Sequence, residues 1–208
     1  MKQTPKIIGA IIGIIFFIAL ISGFTYAWFT WISPTINVSG NTTCFDINYV
    51  EGNIVTDDLL LIDANKLITS DQITIKKGMA VTYLNASKNS KCTRLNAKLV
   101  IELESNIPNT YYTSGSNENA LNYAIVSYDP IAITDVSSTT LDGQSFSILK
   151  TGAITASGSS TIYESSLAND GTATNYLIIF YLDGNKINGD INNQLINIDI
   201  KAWAVQTN

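Results

Sequence analysis

The sequence contains no histidine. That absence removes imidazole acid–base chemistry, Ser-His-Asp triads and His-containing zinc sites together. Arginine is nearly missing too, with Arg94 the single one. Without a basic stripe or cluster to neutralise phosphates, the chain carries no electrostatic footprint for nucleic acid. Charge of either sign is scarce: Asp, Glu, Lys and Arg make up 14% of residues, against about 25% in an average soluble domain. Asn, Ser and Thr supply the polarity instead. That mixture suits a neutral, hydrogen-bonding surface on a β-rich extracellular protein, although an AT-rich genome also inflates Asn and Ile. There is no heptad, internal repeat or low-complexity linker, and no amphipathic helix longer than about two turns.

The charge that exists is uneven. The net value is −5, from 12 basic and 17 acidic residues. Lys2 and Lys6 are the only charged residues before Asp46, so the remainder carries ten basic against seventeen acidic residues, or −7. Between the two regions, Ile7 to Ile32 contains no charged side chain. At about 1.5 Å per residue this run is long enough to cross a bilayer core of about 30 Å. The preceding lysines place the N-terminus in the cytoplasm and the rest of the chain outside. Two readings fit. A basic start, an apolar middle and the small-residue site Thr25-Tyr26-Ala27 before Trp28 describe a signal peptide. Tyr26, Trp28, Phe29 and Trp31 equally describe the interfacial aromatic belt of an uncleaved anchor.

Removing about 30 residues leaves roughly 175–180, one domain with enough chain for a sizeable core. After Pro34, short β-branched and aromatic runs alternate with Gly, Asn, Asp and Ser clusters. Strands are predicted at 35–39, 44–50, 72–76, 80–86, 97–103, 122–128, 145–150, 175–183 and 195–206. In the last, Ile196, Ile198, Ile200, Ala202 and Ala204 share one face, and Asn197, Asp199, Lys201 and Trp203 the other. That is the pattern of a half-buried antiparallel strand. The run NYLIIFYLD at 175–183 is apolar on both faces and reads as a central strand. Turn signals stand at Glu51-Gly52-Asn53, Lys77-Gly78, Asp142-Gly143, Asp183-Gly184-Asn185 and Asn188-Gly189. Ser116–Asn122 reads as one short helical turn, and Ile154–Ser160 as flexible in composition. The expected fold is all-β: an antiparallel two-sheet sandwich, jelly-roll-like, preceded by one N-terminal hydrophobic helix. The division is 1–27 signal peptide or anchor, 28–39 an extended aromatic segment, and 40–208 the β-sandwich.

Few residues offer chemistry. Cys44 and Cys92 are the only cysteines. An even number outside the cytosol points to one disulfide, closing a loop of about 48 residues and worth about 4 kcal/mol in the chain-entropy account. The other reading is two thiols buried as small apolar residues. Asp183–Asn193 faintly resembles a calcium loop, but Ile187 and Asn188 stand where an oxygen ligand and a glycine are required, so a polar hairpin between strands explains it better than calcium held by Asp183 and Asp190. Asp57, Asp58 and Asp63 surround Leu59–Ile62. Paired carboxylates can serve glycoside hydrolysis, whereas charges flanking an apolar strand ordinarily act as gatekeepers. Asn37 and Asn41 match glycosylation acceptors. The aromatic, polar stretch Thr110–Ser116 suits a binding loop. No cofactor-binding motif is present.

Gly23, Thr25, Tyr26, Ala27 and Phe29 resemble the cleavage region of the TasA/camelysin-like surface proteins of Gram-positive bacteria. The final strand, ending in Ala204-Val205-Gln206, also looks like the last strand of those proteins. The resemblance covers the two ends of the chain. Thr30 and Trp31 stand where an acidic residue is usual, and the cysteine pair is an addition. The resemblance implies an exported jelly-roll subunit, cut by a dedicated signal peptidase and assembled into matrix fibres through a donated N-terminal strand. Metalloprotease activity described for camelysin-like members does not carry over to a chain with no histidine and no H-E-x-x-H. Ile32, Ile36 and Val38 alternate with polar residues as a donor strand requires, with Pro34 at its start or on its unpaired side. The expectation is therefore an exported, non-enzymatic structural protein that self-associates into filaments and meets the membrane through its N-terminal segment. The alternatives are an anchored surface protein binding a glycan or protein ligand and, more remotely, a carboxylate-dependent hydrolase.

Overall fold

The computed structural model describes residues 44–50, 59, 61–89, 92, 96–107, 119–129, 136–187 and 196–207. The predicted leader, the Thr25–Trp28 cleavage site, the donor segment with Ile32, Ile36 and Val38, both glycosylation acceptors, Asp57, Asp58, Thr110–Ser116 and Asp190 all lie outside the described residues. The strands are β1 Phe45–Val50, β2 Leu61–Ile62, β3 Gln72–Thr74, β4 Ala80–Lys88, β5 Asn96–Asn106, β6 Leu121–Ser127, β7 Ser145–Ala153, β8 Gly158–Ser166, β9 Thr174–Asp183 and β10 Asn197–Thr207. One short helix, α1 Ala64–Leu67, links β2 to β3.

These strands build two sheets. The larger runs β1-β4-β9-β6-β7-β3, with β2 added beside β9; the smaller runs β10-β5-β8. Every pairing between named strands is antiparallel except β2 with β9. β4 covers β9 from Thr174 to Phe180, and β2 takes over at Leu182 and Asp183. The predicted all-β, two-sheet architecture is therefore present.

The central position of β9 explains its composition. Tyr176, Ile178, Phe180 and Leu182 point into the core between the sheets, against Leu99, Ile101 and Leu103 of β5 and Ile198 and Ile200 of β10. Leu177, Ile179 and Tyr181 point the other way, into a second core closed by Ile62, Ile73, Ile75, Met79, Val136 and Leu141. A strand buried on both faces has no polar side to show, so period-two alternation disappears from its sequence. β10 covers the sandwich from one side only. Ile198, Ile200 and Ala202 are buried, whereas Lys201 and Trp203 are exposed, as the alternation predicts.

Three local expectations are corrected. The connection after Asp183 is not a hairpin: β9 and β10 belong to different sheets. Both flanks of β9 are already taken by β4 and β2 on one side and β6 on the other. The next strand therefore crosses over and pairs with β5. Gly184–Lys186 forms a 3-10 turn at the start of that crossing. Second, Leu121 and Asn122 are not helical but open β6, where Leu121 pairs with Leu182. Asn119 ahead of them has φ 67. The Asn122 amide donates to the Asn119 and Ala120 carbonyls at 2.7 and 2.9 Å, holding the turn. Third, Gly158–Ser160 are ordered as the start of β8 and pair with Leu103, Glu104 and Ser105. A β-bulge between Ile101 and Glu102 lets Ile162 enter the core.

Candidate functional site

Of the carboxylates singled out from the sequence, Asp63 and Asp183 form one cluster, and Asp57, Asp58 and Asp190 lie outside the described residues. Asp63 precedes α1 and Asp183 ends β9, next to one another because β2 pairs with that end of β9. Asn185 bridges them: its Nδ2 donates to Asp63 Oδ1 and to Asp183 Oδ1, each at 3.0 Å. The Asn185 backbone N–H donates to Asp183 Oδ1 at 3.1 Å. Lys66 lies 2.9 Å from Asp63, and Lys186 lies 4.0 Å from Asp183. The Asn185 hydrogen bond, then Lys66, hold the Asp63 carboxyl below its usual value. Asp183 is buried, and the neighbouring Tyr181 phenol is pushed up to about 12, mainly by burial and secondarily by Asp183. Each carboxylate thus has an amide and a cation. The lowered Asp63 pKa suits neither a general acid nor a proton shuttle near neutrality. The cluster pins the crossover turn to the β2–α1 segment. Among the described residues no group of three or more Cys, Asp or Glu is arranged to hold a metal ion. Asp183 Oδ1 accepts twice from Asn185, and Lys186 lies 4.0 Å from Oδ2.

Cys44 and Cys92 are brought together. Their sulfurs lie 2.09 Å apart, at bonding distance, and their Cα atoms are 5.7 Å apart. Cys44 stands directly ahead of β1, whose Phe45 is paired with Lys88 at the end of β4. The backbone ties the same corner: the Asn89 N–H donates to the Cys44 carbonyl, and the Cys92 N–H to the Asn89 carbonyl.

Beside that corner lie two sheet edges. Among the described residues β1 pairs only with β4, and β10 only with β5. The two strands approach within 8 Å between Cα atoms. Among named strands, each leaves one row of backbone N–H and C=O groups without a strand partner, which is the ordinary template for adding another strand. β10 is eleven residues long and carries Trp203 and Val205 on its exposed side, each 37% exposed. On the outer face of this sheet, Lys98 pairs with Glu164 at 2.9 Å and Lys201 with Glu104 at 2.5 Å. Asp199 is pushed above its usual value by burial and then by Glu104.

A cavity of about 310 Å³ opens where β7 turns into β8; Leu103, Ser105, Tyr123, Ile154, Ser157 and Ile162 are among its walls. None of its described lining residues is charged. Ser105 donates to the Ala156 carbonyl at 2.8 Å, and Ser157 donates to the Ile107 carbonyl at 3.0 Å and accepts from its N–H at 2.8 Å. These hydroxyls hold the β7–β8 connection against the end of β5. The serine-rich 154–160 stretch was the signal for this wall, and its composition alone does not distinguish it from a loose loop. Among the described residues the arrangement offers hydroxyls and apolar surface but no nucleophile paired with a base. No protein-family model matches the chain, and no curated protein matches it.

Proposed function

We propose that the chain is an exported, non-enzymatic structural protein of the cell surface or extracellular matrix that self-associates into filaments. In this reading a hydrophobic N-terminal helix directs export, the 28–39 segment is extended, and the body is jelly-roll-like. The jelly-roll reading is supported by consecutive strands that change sheet at β4–β5, β5–β6, β7–β8, β8–β9 and β9–β10. The observation that carries the function is the pair of neighbouring edges, β1 and β10, at the corner where the chain enters the sandwich. The alternating segment 32–39 ends five residues before Cys44. A strand laid along either edge gains a ladder of backbone hydrogen bonds and buries alternate side chains. Supplied by a neighbouring copy, it joins subunits head to tail, and a contact of that kind extends into a filament.

The test has two parts. Mass spectrometry of the native protein reads its N-terminus: a start at Trp28 supports release and assembly, and an intact Met1 supports a permanent anchor. Electron microscopy then compares the mature protein with a variant lacking 32–39. Loss of filaments on deletion supports strand donation, and filaments that persist refute it. The cavity, whose described lining is uncharged, favours a second reading, a surface protein binding a neutral glycan or peptide. Thr155→Trp, at an exposed position in the cavity wall, separates the readings: it blocks such binding and leaves filaments intact.

A further inference from the structure

β4 carries a lysine in an unusual place. Ala80, Leu84 and Ala86 point into the core between the sheets, and period-two alternation carries the same face onto Lys88. Lys88 is fully buried, at 0% exposure. Lysine is almost never completely buried unless it is paired. Its Nζ donates to the Oδ1 of Asn169, in the connection between β8 and β9. Both partners are held. Lys88 ends a strand laddered to β1 at this point and to β9 further along. The connection bearing Asn169 is pinned by buried Leu167, whose N–H donates to the Ala97 carbonyl at 2.9 Å, and by Asp170, which accepts the Thr172 N–H at 2.8 Å.

We propose that Lys88 and Asn169 condense to an intramolecular isopeptide bond. The Nζ lone pair attacks Cγ of Asn169, a new N–C bond forms, and the Cγ–Nδ2 bond breaks. With Nζ as the neutral amine, one proton passes from it to Nδ2, which leaves as ammonia, so the step needs no oxidant and no co-reactant. Two features favour it. An amine and a carboxamide fixed in contact by separate elements react as neighbours rather than as solutes. The product also replaces a buried ionisable amine with a neutral amide, which carries no charge that has to be kept from water. The bond sits beside the cystine, since Asn89 next to Lys88 is hydrogen-bonded to both Cys44 and Cys92. Together they tie β1, β4 and the β8–β9 connection covalently at one end of the sandwich. This inference stands apart from filament assembly and holds or fails on a different measurement.

Tryptic peptide mapping of the folded full chain, after reduction, decides it. Trypsin does not cut after an acylated lysine. The expected species is therefore branched, uniting peptide 78–91 with peptide 151–186 and lighter than the two together by one ammonia. Lys88→Arg and Asn169→Ala each abolish it. Recovery of 78–88 and 151–186 from the wild-type protein as separate linear peptides of full mass overturns the proposal. That digest of the wild-type chain decides even if a variant fails to fold.

Discussion

Asp63 and Asp199 are both aspartates at the surface of the sandwich, and their surroundings push them in opposite directions. Asp63 gains an amide hydrogen bond from Asn185 and a cation from Lys66, so folding lowers its pKa from 3.8. Its contribution to stability is present above 3.8 and is lost as pH falls through the lower folded value. Asp199 is shielded from water and faces Glu104, and its Oδ1 is buried without a hydrogen-bond partner among the described residues, so folding raises its pKa. Any stability tied to its protonated form is present below 3.8 and lost as pH rises through the raised value. The two Asp→Asn variants are therefore expected to move denaturation midpoints in opposite senses at neutral pH, Asp63→Asn downward and Asp199→Asn upward. Both differences from wild type should shrink below pH 3.8. Urea titrations at the two pH values check this, and equal signs at neutral pH would contradict the assigned environments. Gly152 shows the same dependence on a neighbour, sterically. A Cβ there would lie 2.5 Å from the Tyr123 hydroxyl and 2.6 Å from its Cζ, so the cross-strand ring occupies the space that glycine leaves.

At the scale of elements, β9 carries the fold because it belongs to both cores. Leu177 and Ile178 are adjacent in sequence, fully buried, and face opposite ways. Replacing either with alanine is expected to cost about 2–5 kcal/mol. Leu149→Ala on β7, which is 42% exposed, should stay within about 0.5 kcal/mol. Chemical denaturation of the three variants measures this, and a near-neutral Leu177→Ala would mean that the second core contributes little. This double burial was readable from NYLIIFYLD, since no polar period survives there. β8 was not. Its residues GSSTIYESS present one buried side chain, Ile162, and otherwise follow the sheet because β5 and the bulge fix them. Pairing imposed by a neighbour leaves no hydrophobic pattern to read. The hairpin expected at Asp183-Gly184 failed for a related reason: turn chemistry reports a change of direction, not whether a vacant strand edge is available. The Asp63–Asn185–Asp183 contacts span 122 residues, beyond the reach of local pattern. Lys88, by contrast, was legible in principle. Alternation from Ala80 places it on the core face, and a charged residue on such a face is itself the signal.

At the scale of the whole molecule, cohesion is uneven. β9 is gripped on both flanks and both faces, whereas β1 has one described strand neighbour, β4, along the ladder from Phe45–Lys88 to Val50–Tyr83. An edge strand with one neighbour opens more readily than a central one, because fewer contacts must be broken. The cystine closes the 48-residue separation between Cys44 and Cys92. In the chain-entropy account this contributes about 4 kcal/mol by restricting the unfolded chain. It also fixes the start of β1 beside the end of β4 in the native state. Both effects vanish in the Cys44→Ser/Cys92→Ser double variant. Its global stability is expected to fall by up to about 4 kcal/mol. The β1 amides that bond to β4 should lose additional hydrogen-exchange protection relative to those of β9, since β1 alone combines the lost tether with a single strand neighbour. Exchange measured residue by residue on the double variant separates the two effects. A uniform loss across β1 and β9 would assign the cystine wholly to the unfolded chain. A larger loss in β1 would make it the clamp that keeps this edge in the sheet.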